Sequence, residues 1–386
     1  MKILRPMSIN NPALVSSNVP EADYAAYNPI TPYALGTKVI DVSPAATVTL
    51  SIASPCVVNW PAHGLPLMKN SKPVATPVVL ATTGALPPEL TVGVAYYVLP
   101  LDTDHFMLST THNGAPINTS GTQSGTHTVT ASIHKCYESL QAANTGHTPR
   151  SNPTWWLDLG NTNSWKMFDQ SVTSQTSNPD SIAVVIKALG RMDSVALLNI
   201  NASTVRFVMT DAVDGVVYDH TYSMVSTSGI TDSYAYCFEA ITRITDYVEL
   251  DMPPYANAQI TVTLTDTGGT VLCGTCVIGQ RKELGGTQYG ASVGIMDYSL
   301  KQRDAFGNYD ILEREFSKRG KFLLWVDNSL VDELQIILAS FRATPIVYIG
   351  ADTFGCSVIY GFYKDFSTVI QYANNSICDI ELEGLT

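Results

Sequence analysis

The chain has 386 residues, too many for one ordinary core, so two to four domains are expected. Hydrophobic residues make up 45% and charged residues only 15%, a composition that excludes wholesale disorder. A net charge of −12 argues against the basic faces that nucleic acid requires, so no nucleic-acid partner is expected. No apolar run approaches the roughly 18 residues of a membrane helix, so no membrane insertion is expected either.

The opening Met1-Lys-Ile-Leu-Arg-Pro6 lacks the apolar centre of a signal peptide and reads as the start of a soluble protein outside the general secretory route. Residues 1–42 are dense in proline (Pro6, Pro12, Pro20, Pro29, Pro32), which argues against helix. Tyr33-Ala-Leu-Gly36-Thr-Lys-Val39 reads as a turn followed by a strand.

Residues 43–133 are poor in charge and rich in Thr, Val, Pro and Gly. The alternation of Thr47–Ile52, Val94–Leu99, Phe106–Ser109 and Thr126–Ala131 between turn signals predicts a small all-β module. Its position suits an insertion into a surface loop, where added length costs little. Residues 134–160 then return to the character of 1–42, with a strand at His134–Leu140, a turn at Asn144–Pro149 and the pair Trp155-Trp156. With 43–133 removed, 1–42 and 134–160 form one split, aromatic-rich unit.

Residues 161–285 carry eight candidate strands, at 181–186, 195–200, 205–210, 216–222, 233–241, 247–250, 259–265 and 271–278. Turn signals such as Asp214-Gly215 and Thr267-Gly-Gly269 separate them, and the pattern suits a β-sandwich or jelly roll. Residues 286–386 change class to α+β. Strands near 290–297, 311–316, 321–326, 345–348, 358–366 and 377–383 surround one clear helix. That helix is expected to be capped by Asn328 or Ser329, with Leu330, Leu334, Ile337, Leu338 and Phe341 on one face. The expected fold is therefore mainly β and multi-domain.

Chemistry-bearing motifs are sparse. Seven histidines sit mostly beside turns, and the sequence has no GxSxG, no GxxxxGK[ST] and no EF-hand spacing. Cys273-Gly-Thr-Cys276 resembles half a zinc site, but no second pair accompanies it; core thiols are the plainer reading. No catalytic residue, metal site or cofactor is assigned, and the chain is not expected to be an enzyme; a calcium ion at the sandwich edge is left as an alternative. The aromatic set Tyr33, Tyr137, Trp155, Trp156 and Trp165 stands out. Such rings either fill a small core or interface, or stack on sugars, and they form the candidate carbohydrate-binding set.

The split pattern Tyr33-Ala-Leu-Gly36 … Tyr137 … Pro149 … Trp155 resembles chitin-binding-type modules, with Thr37 where those modules carry Asp. Leu159-Gly-Asn-Thr-Asn-Ser-Trp165-Lys-Met-Phe168-Asp169, Tyr360-Gly-Phe-Tyr-Lys-Asp-Phe366 and Ile380-Glu-Leu-Glu-Gly-Leu-Thr386 resemble tail-tip or baseplate (distal-tail-like) proteins of long-tailed bacteriophages. The segment 85–126 resembles a small β-module that recurs in tail-fibre and tail-tip proteins. The resemblance implies a virion protein made in the host cytoplasm. It implies a homo-oligomer that joins tube, hub and fibre proteins, with the carbohydrate-binding-like fold either binding host surface glycans or only linking subunits. A receptor-binding adhesin of tail-fibre type is the alternative, and an envelope-degrading hydrolase a more distant one.

Overall fold

The computed structural model describes every residue except 70–71, 188–189, 228–229, 304–305, 353 and 386; Thr386, the end of the tail-protein-like segment 380–386, thus lies outside the described residues. The chain is mainly β and forms two compact units. One comprises Met1–Ser8, Lys166–Ala183 and Ala188–Thr386, the other Ile9–Trp165 and Val184–Lys187. Strand β1 (Lys2–Pro6) belongs to the first.

The second unit follows in chain order. Strands β2 (Leu14–Ser17) and β3 (Lys38–Val42) lead into a closed six-stranded barrel. Its strands are β4 (Ala46–Leu50), β5 (Val57–Asn59), β8 (Pro77–Thr82), β9 (Ala95–Pro100), β10 (His105–Ser109) and β11 (His127–Ala131). A short side hairpin, β6 (Met68–Lys69) and β7 (Lys72–Pro73), interrupts the run. Period-two alternation sends Val78, Leu80, Tyr96, Val98, Phe106, Leu108 and Val129 inward, where all are buried in one cluster. Closure, with β9 paired to both β8 and β10, leaves no open sheet edge. The chain leaves the barrel into β12 (His134–Ser139), which pairs with β3 on one side and β13 (Trp156–Asn161) on the other. Val42 and His134, the residues flanking the barrel, are direct partners across β3 and β12.

The first unit holds most of the remaining elements: β14 (Thr176–Lys187), β15 (Ser194–Asn201), β16 (Thr204–Asp211), β17 (Gly215–Ser223), α1 (Ser233–Phe238), β18 (Tyr247–Glu249) and β19 (Gln259–Glu283). They are followed by β20 (Gly286–Thr287), β21 (Ser292–Asp297), β22 (Leu300–Arg303), β23 (Tyr309–Leu312), β24 (Phe316–Asp327), α2 (Val331–Ser340), β25 (Ile346–Ile349), β26 (Val358–Val369) and β27 (Asn375–Gly384). The last four residues of β14, Val184–Lys187, belong to the second unit, where they meet β2.

β19 has 25 residues and replaces the two separate strands expected around Thr267-Gly-Gly269. Its first part pairs with β16 and its later part with β15, so the glycines mark a change of partner within one strand. Gly268 takes φ +79°, a left-handed conformation open to glycine, and its N–H donates to Asp180 Oδ1. The strand expected at 233–241 is instead the short helix α1. Tyr234, Tyr236 and Phe238 alternate as in a strand, but Asp232 accepts a hydrogen bond from the Ala235 N–H and starts a helical turn. The cap of the longer helical segment also differs. Asp327, one residue before the expected pair, accepts from the Ser329 N–H, and a 3-10 turn over Asn328–Leu330 precedes α2.

The path β19–β1–β25–β26–β27–β24 joins strands from both sides of residue 285, the boundary expected between sandwich and α+β domain. β1 pairs with β19 through Lys2↔Glu283 and with β25 through Lys2↔Ile349. The β25 sequence Ile-Val-Tyr-Ile is buried at all four positions, as a strand covered on both faces must be. Ile3, Ile346 and Tyr348 face one core, with Leu334, Ile337 and Leu338 of α2, whereas Leu4, Val347 and Ile349 face another, with Ala196, Leu198 and Val277. Truncating Leu4, fully buried, to Ala is expected to lower stability by about 2–5 kcal/mol, as for other large-to-small core changes. Val216→Ala on exposed β17 should cost under about 0.5 kcal/mol. Urea-unfolding midpoints of the two variants check the contrast.

Candidate functional site

The three-stranded sheet of β3, β12 and β13 is too small to bury much surface by itself, and aromatic rings fill the deficit. Tyr33, Tyr137 and Trp156 are only 8%, 6% and 2% exposed and form one cluster with Val39, against which Tyr27 and Trp155 pack. The Trp156 ring meets Tyr33 edge-on at 5.3 Å between centroids and Tyr27 at 5.8 Å. Its indole N–H donates to the His147 carbonyl at 2.8 Å. The Tyr33 hydroxyl accepts from the Asn28 N–H at 2.7 Å. Burial pushes the Tyr137 phenol well above its ordinary pKa.

Three of the five candidate sugar-stacking residues therefore have no free face. The other two, Trp155 and Trp165, are half-buried, and each has a histidine on one face. Trp155 stacks on His147 at 3.8 Å and 11°, and Trp165 stacks on His134 at 4.1 Å and 15°. Both histidines are held in turn. His147 Nδ1 lies 3.1 Å from Oδ1 of the fully buried Asn144, whose amide donates to Ser139 Oγ and the Trp155 carbonyl. His134 is gripped by Glu21 at 2.9 Å and Asn11 at 2.7 Å.

Burial raises the Glu21 carboxyl, but hydrogen bonds from His134 and from Thr162, with the nearby His134 charge, outweigh it and leave the carboxyl below the ordinary glutamate value. A second anchor ties Arg150 to β3. Its guanidinium grips Asp41 in a two-pronged contact at 2.5 and 2.8 Å and donates to Ser43 at 3.0 Å, with both charged side chains almost wholly buried. Arg150 and His134 border a groove of about 1050 Å³ within the second unit, lined among others by His63, Leu65, Ile133, Tyr137 and Trp156. His63 on its wall is engaged: it receives the Leu65 N–H at Nδ1 and lies 2.9 Å from the Asp102 carbonyl at Nε2.

Cys273 and Cys276 both lie in β19, three positions apart, so they point to opposite faces of the strand and cannot share an ion. Both are buried, and burial pushes both thiols up, that of Cys276 to about 12. Among the described residues no cluster of three or more His, Cys, Asp or Glu is placed to hold a metal. No helix among them is long and apolar enough to cross a membrane.

A different surface, in the first unit, was not singled out in the sequence. Every residue of strands β22 and β23 is exposed, and Leu300, Phe306, Tyr309, Ile311 and Leu312 are 40–92% exposed. Around α1, Tyr234, Tyr236, Phe238 and Ile241 are 73–78% exposed. The signal in the sequence is an apolar alternation that no neighbouring strand absorbs, and one chain read alone does not reveal which strand lacks a neighbour. The arrangement as a whole defines a mainly-β protein of β-sandwich character with an inserted barrel. No family model, no curated protein and no solved structure shows significant similarity to the chain.

Two outcomes follow from the aromatic unit. Trp156→Ala should cost about 3–5 kcal/mol, whereas Trp155→Ala, half-exposed, should cost markedly less. Urea titration with tryptophan fluorescence reads both. The Glu21 contribution, from a carboxyl with a lowered folded pKa, is fully present above the ordinary glutamate pKa of about 4.3 and is lost as pH falls through the lower folded value. Glu21→Gln should therefore weaken the decline in unfolding midpoint below about pH 4.3, and unchanged acid sensitivity would reject the role of this carboxylate.

Proposed function

We propose that the chain is a structural subunit of a bacteriophage tail tip or baseplate, acting by assembly with copies of itself and with tube, hub or fibre proteins. The observation that supports this reading best is the β22–β23 hairpin. A lone two-stranded ribbon with both faces in water is marginal at best, yet this one carries large apolar or aromatic side chains at half of its strand positions. Contiguous exposed apolar surface of this kind is the mark of a surface that a partner covers. The tail-protein-like segments at 159–169, 360–366 and 380–385 point to the setting in which that partner is found. In this reading the protein is made in the host cytoplasm, resides in the virion and turns over no substrate.

The test is light scattering of the purified chain, alone and after co-expression with the tail proteins encoded beside its gene. A defined oligomer or a stable complex with a tube or hub protein is expected. A monomer that joins none of them would overturn the reading.

The alternative, an adhesin for host polysaccharide, draws on the groove beside the aromatic sheet in the second unit. In that case a monomer or trimer would adhere to host cells, and Trp155→Ala would weaken adhesion while leaving the fold intact.

A further inference from the structure

The first unit carries two arms of opposite character. The first is a loop whose stem is closed by the Val225↔Arg243 bridge and by hydrogen bonds from the Ser226 N–H to the Thr242 carbonyl and from the Ile244 N–H to the Met224 carbonyl. Its outer part carries α1, with Tyr234, Tyr236, Phe238 and Ile241 turned to solvent and the acids Asp232 and Glu239 beside them. The only cation in residues 225–244 is Arg243, in the stem, and its guanidinium is held by Asp266 at 2.8 and 2.9 Å. The outer part of this arm is therefore aromatic and acidic.

The second arm is the β22–β23 hairpin. Its register pairs Lys301 with Ile311 and Arg303 with Tyr309. Strand alternation places these four residues on one face and Leu300, Leu312, Gln302 and Asp310 on the other. The first of these faces is aromatic, apolar and cationic; Lys301 is already paired with Asp297 at 2.6 Å, which leaves Arg303 as the cation the face presents. Arg303 lies over the Tyr309 ring at 4.7 Å and donates to its hydroxyl at 2.7 Å, an arrangement that fixes the guanidinium in place.

The two arms share a root. Lys318, just after the second arm, pairs with Asp246, just after the first, and both line a groove of about 350 Å³ with Thr245, Glu315 and Phe316. One region of the unit thus presents both arms. Within one chain they do not cover each other, since both remain largely exposed.

We propose that copies of this chain associate arm to arm. The Lys301, Arg303, Tyr309 and Ile311 face of one copy docks on the α1 arm of another, with the Arg303 guanidinium turned toward Asp232 and Glu239. The occupant is a second copy because each arm supplies the charge that the other lacks, both carry uncovered apolar surface, and every copy carries both arms. The inference rests on the assembly reading and names its contact.

The experiment uses the full chain in a Cys356→Ser background, which leaves native Cys237, on α1, as the one exposed thiol among the described residues. Ile311→Cys is added, and mild oxidation is followed by a non-reducing gel and light scattering. Disulfide-linked multimers whose mass matches the unmodified oligomer are expected, and Phe238→Asp should abolish them. Phe238→Asp and Tyr309→Asp chains, each monomeric alone, should form a dimer when mixed through the one intact pair of arms, a recovery that misfolded chains would not show. An oligomeric Ile311→Cys chain that yields no disulfide-linked multimer, or a mixture that stays monomeric while the unmodified chain is oligomeric, would overturn the arm contact and leave the assembly reading standing. A monomeric unmodified chain that joins no tail protein would overturn both.

Discussion

The first unit depends on five residues, Lys2–Pro6, lying antiparallel between β19 and β25. Without this strand the sheet path from β19 to β25 has no hydrogen-bonded continuity. Its alternation serves two cores at once, with Ile3 turned to the α2 side and Leu4 to the β15 side. Two stretches of different composition, one rich in sandwich strands and one of α+β character, thereby share a sheet. Because each face of β1 is covered, the strand must be apolar in the middle, and Ile3-Leu4 is the shortest sequence that meets the demand.

How much of this was legible in the sequence depends on what kind of signal each element leaves. The helix α2 was plain, because Leu334, Ile337 and Leu338 repeat at helical spacing and a proline follows. Within the barrel, Val94–Leu99 and Phe106–Ser109 were readable from alternation and turns, whereas β5 and β8 were not singled out because Val57-Val-Asn59 is short and β8 opens on a proline. The strand expected at 233–241 failed for an instructive reason. Tyr234 and Phe238 fit a period of two, but they also fit a helical four-residue step, and in the helix their rings sit 4.7 Å apart. The role of β1 left no local signal, since a pairing partner nearly three hundred residues away cannot be read from five residues.

The aromatic set shows the same division at the level of the site. Composition drew attention to Tyr33, Tyr137, Trp155, Trp156 and Trp165, and the structure brings the first four together around one small sheet. What composition does not convey is direction. Trp156 is spent on the core, while Trp155 and Trp165 each lean on an imidazole that buried or half-buried polar groups hold in place. Burial of the rings and satisfaction of the histidines are thus one arrangement, in which a sheet of three strands gains the rigidity that its own area could not supply.

The pairing of Val42 with His134 has a kinetic side. Strands β3 and β12 must find each other across the whole barrel sequence, and closing so long a loop in an unfolded chain costs several kcal/mol of entropy, of order (3/2)RT ln n plus a constant. Once the barrel has closed, its two ends emerge as neighbours and that search is over. The barrel then acts on the small sheet as a covalent staple would, through the freedom it removes from the unfolded chain rather than through contacts it adds. The barrel's own closing pair, β4 with β11, lies just inside the pair β3 with β12, so the closed barrel sets the two ends of the aromatic sheet side by side.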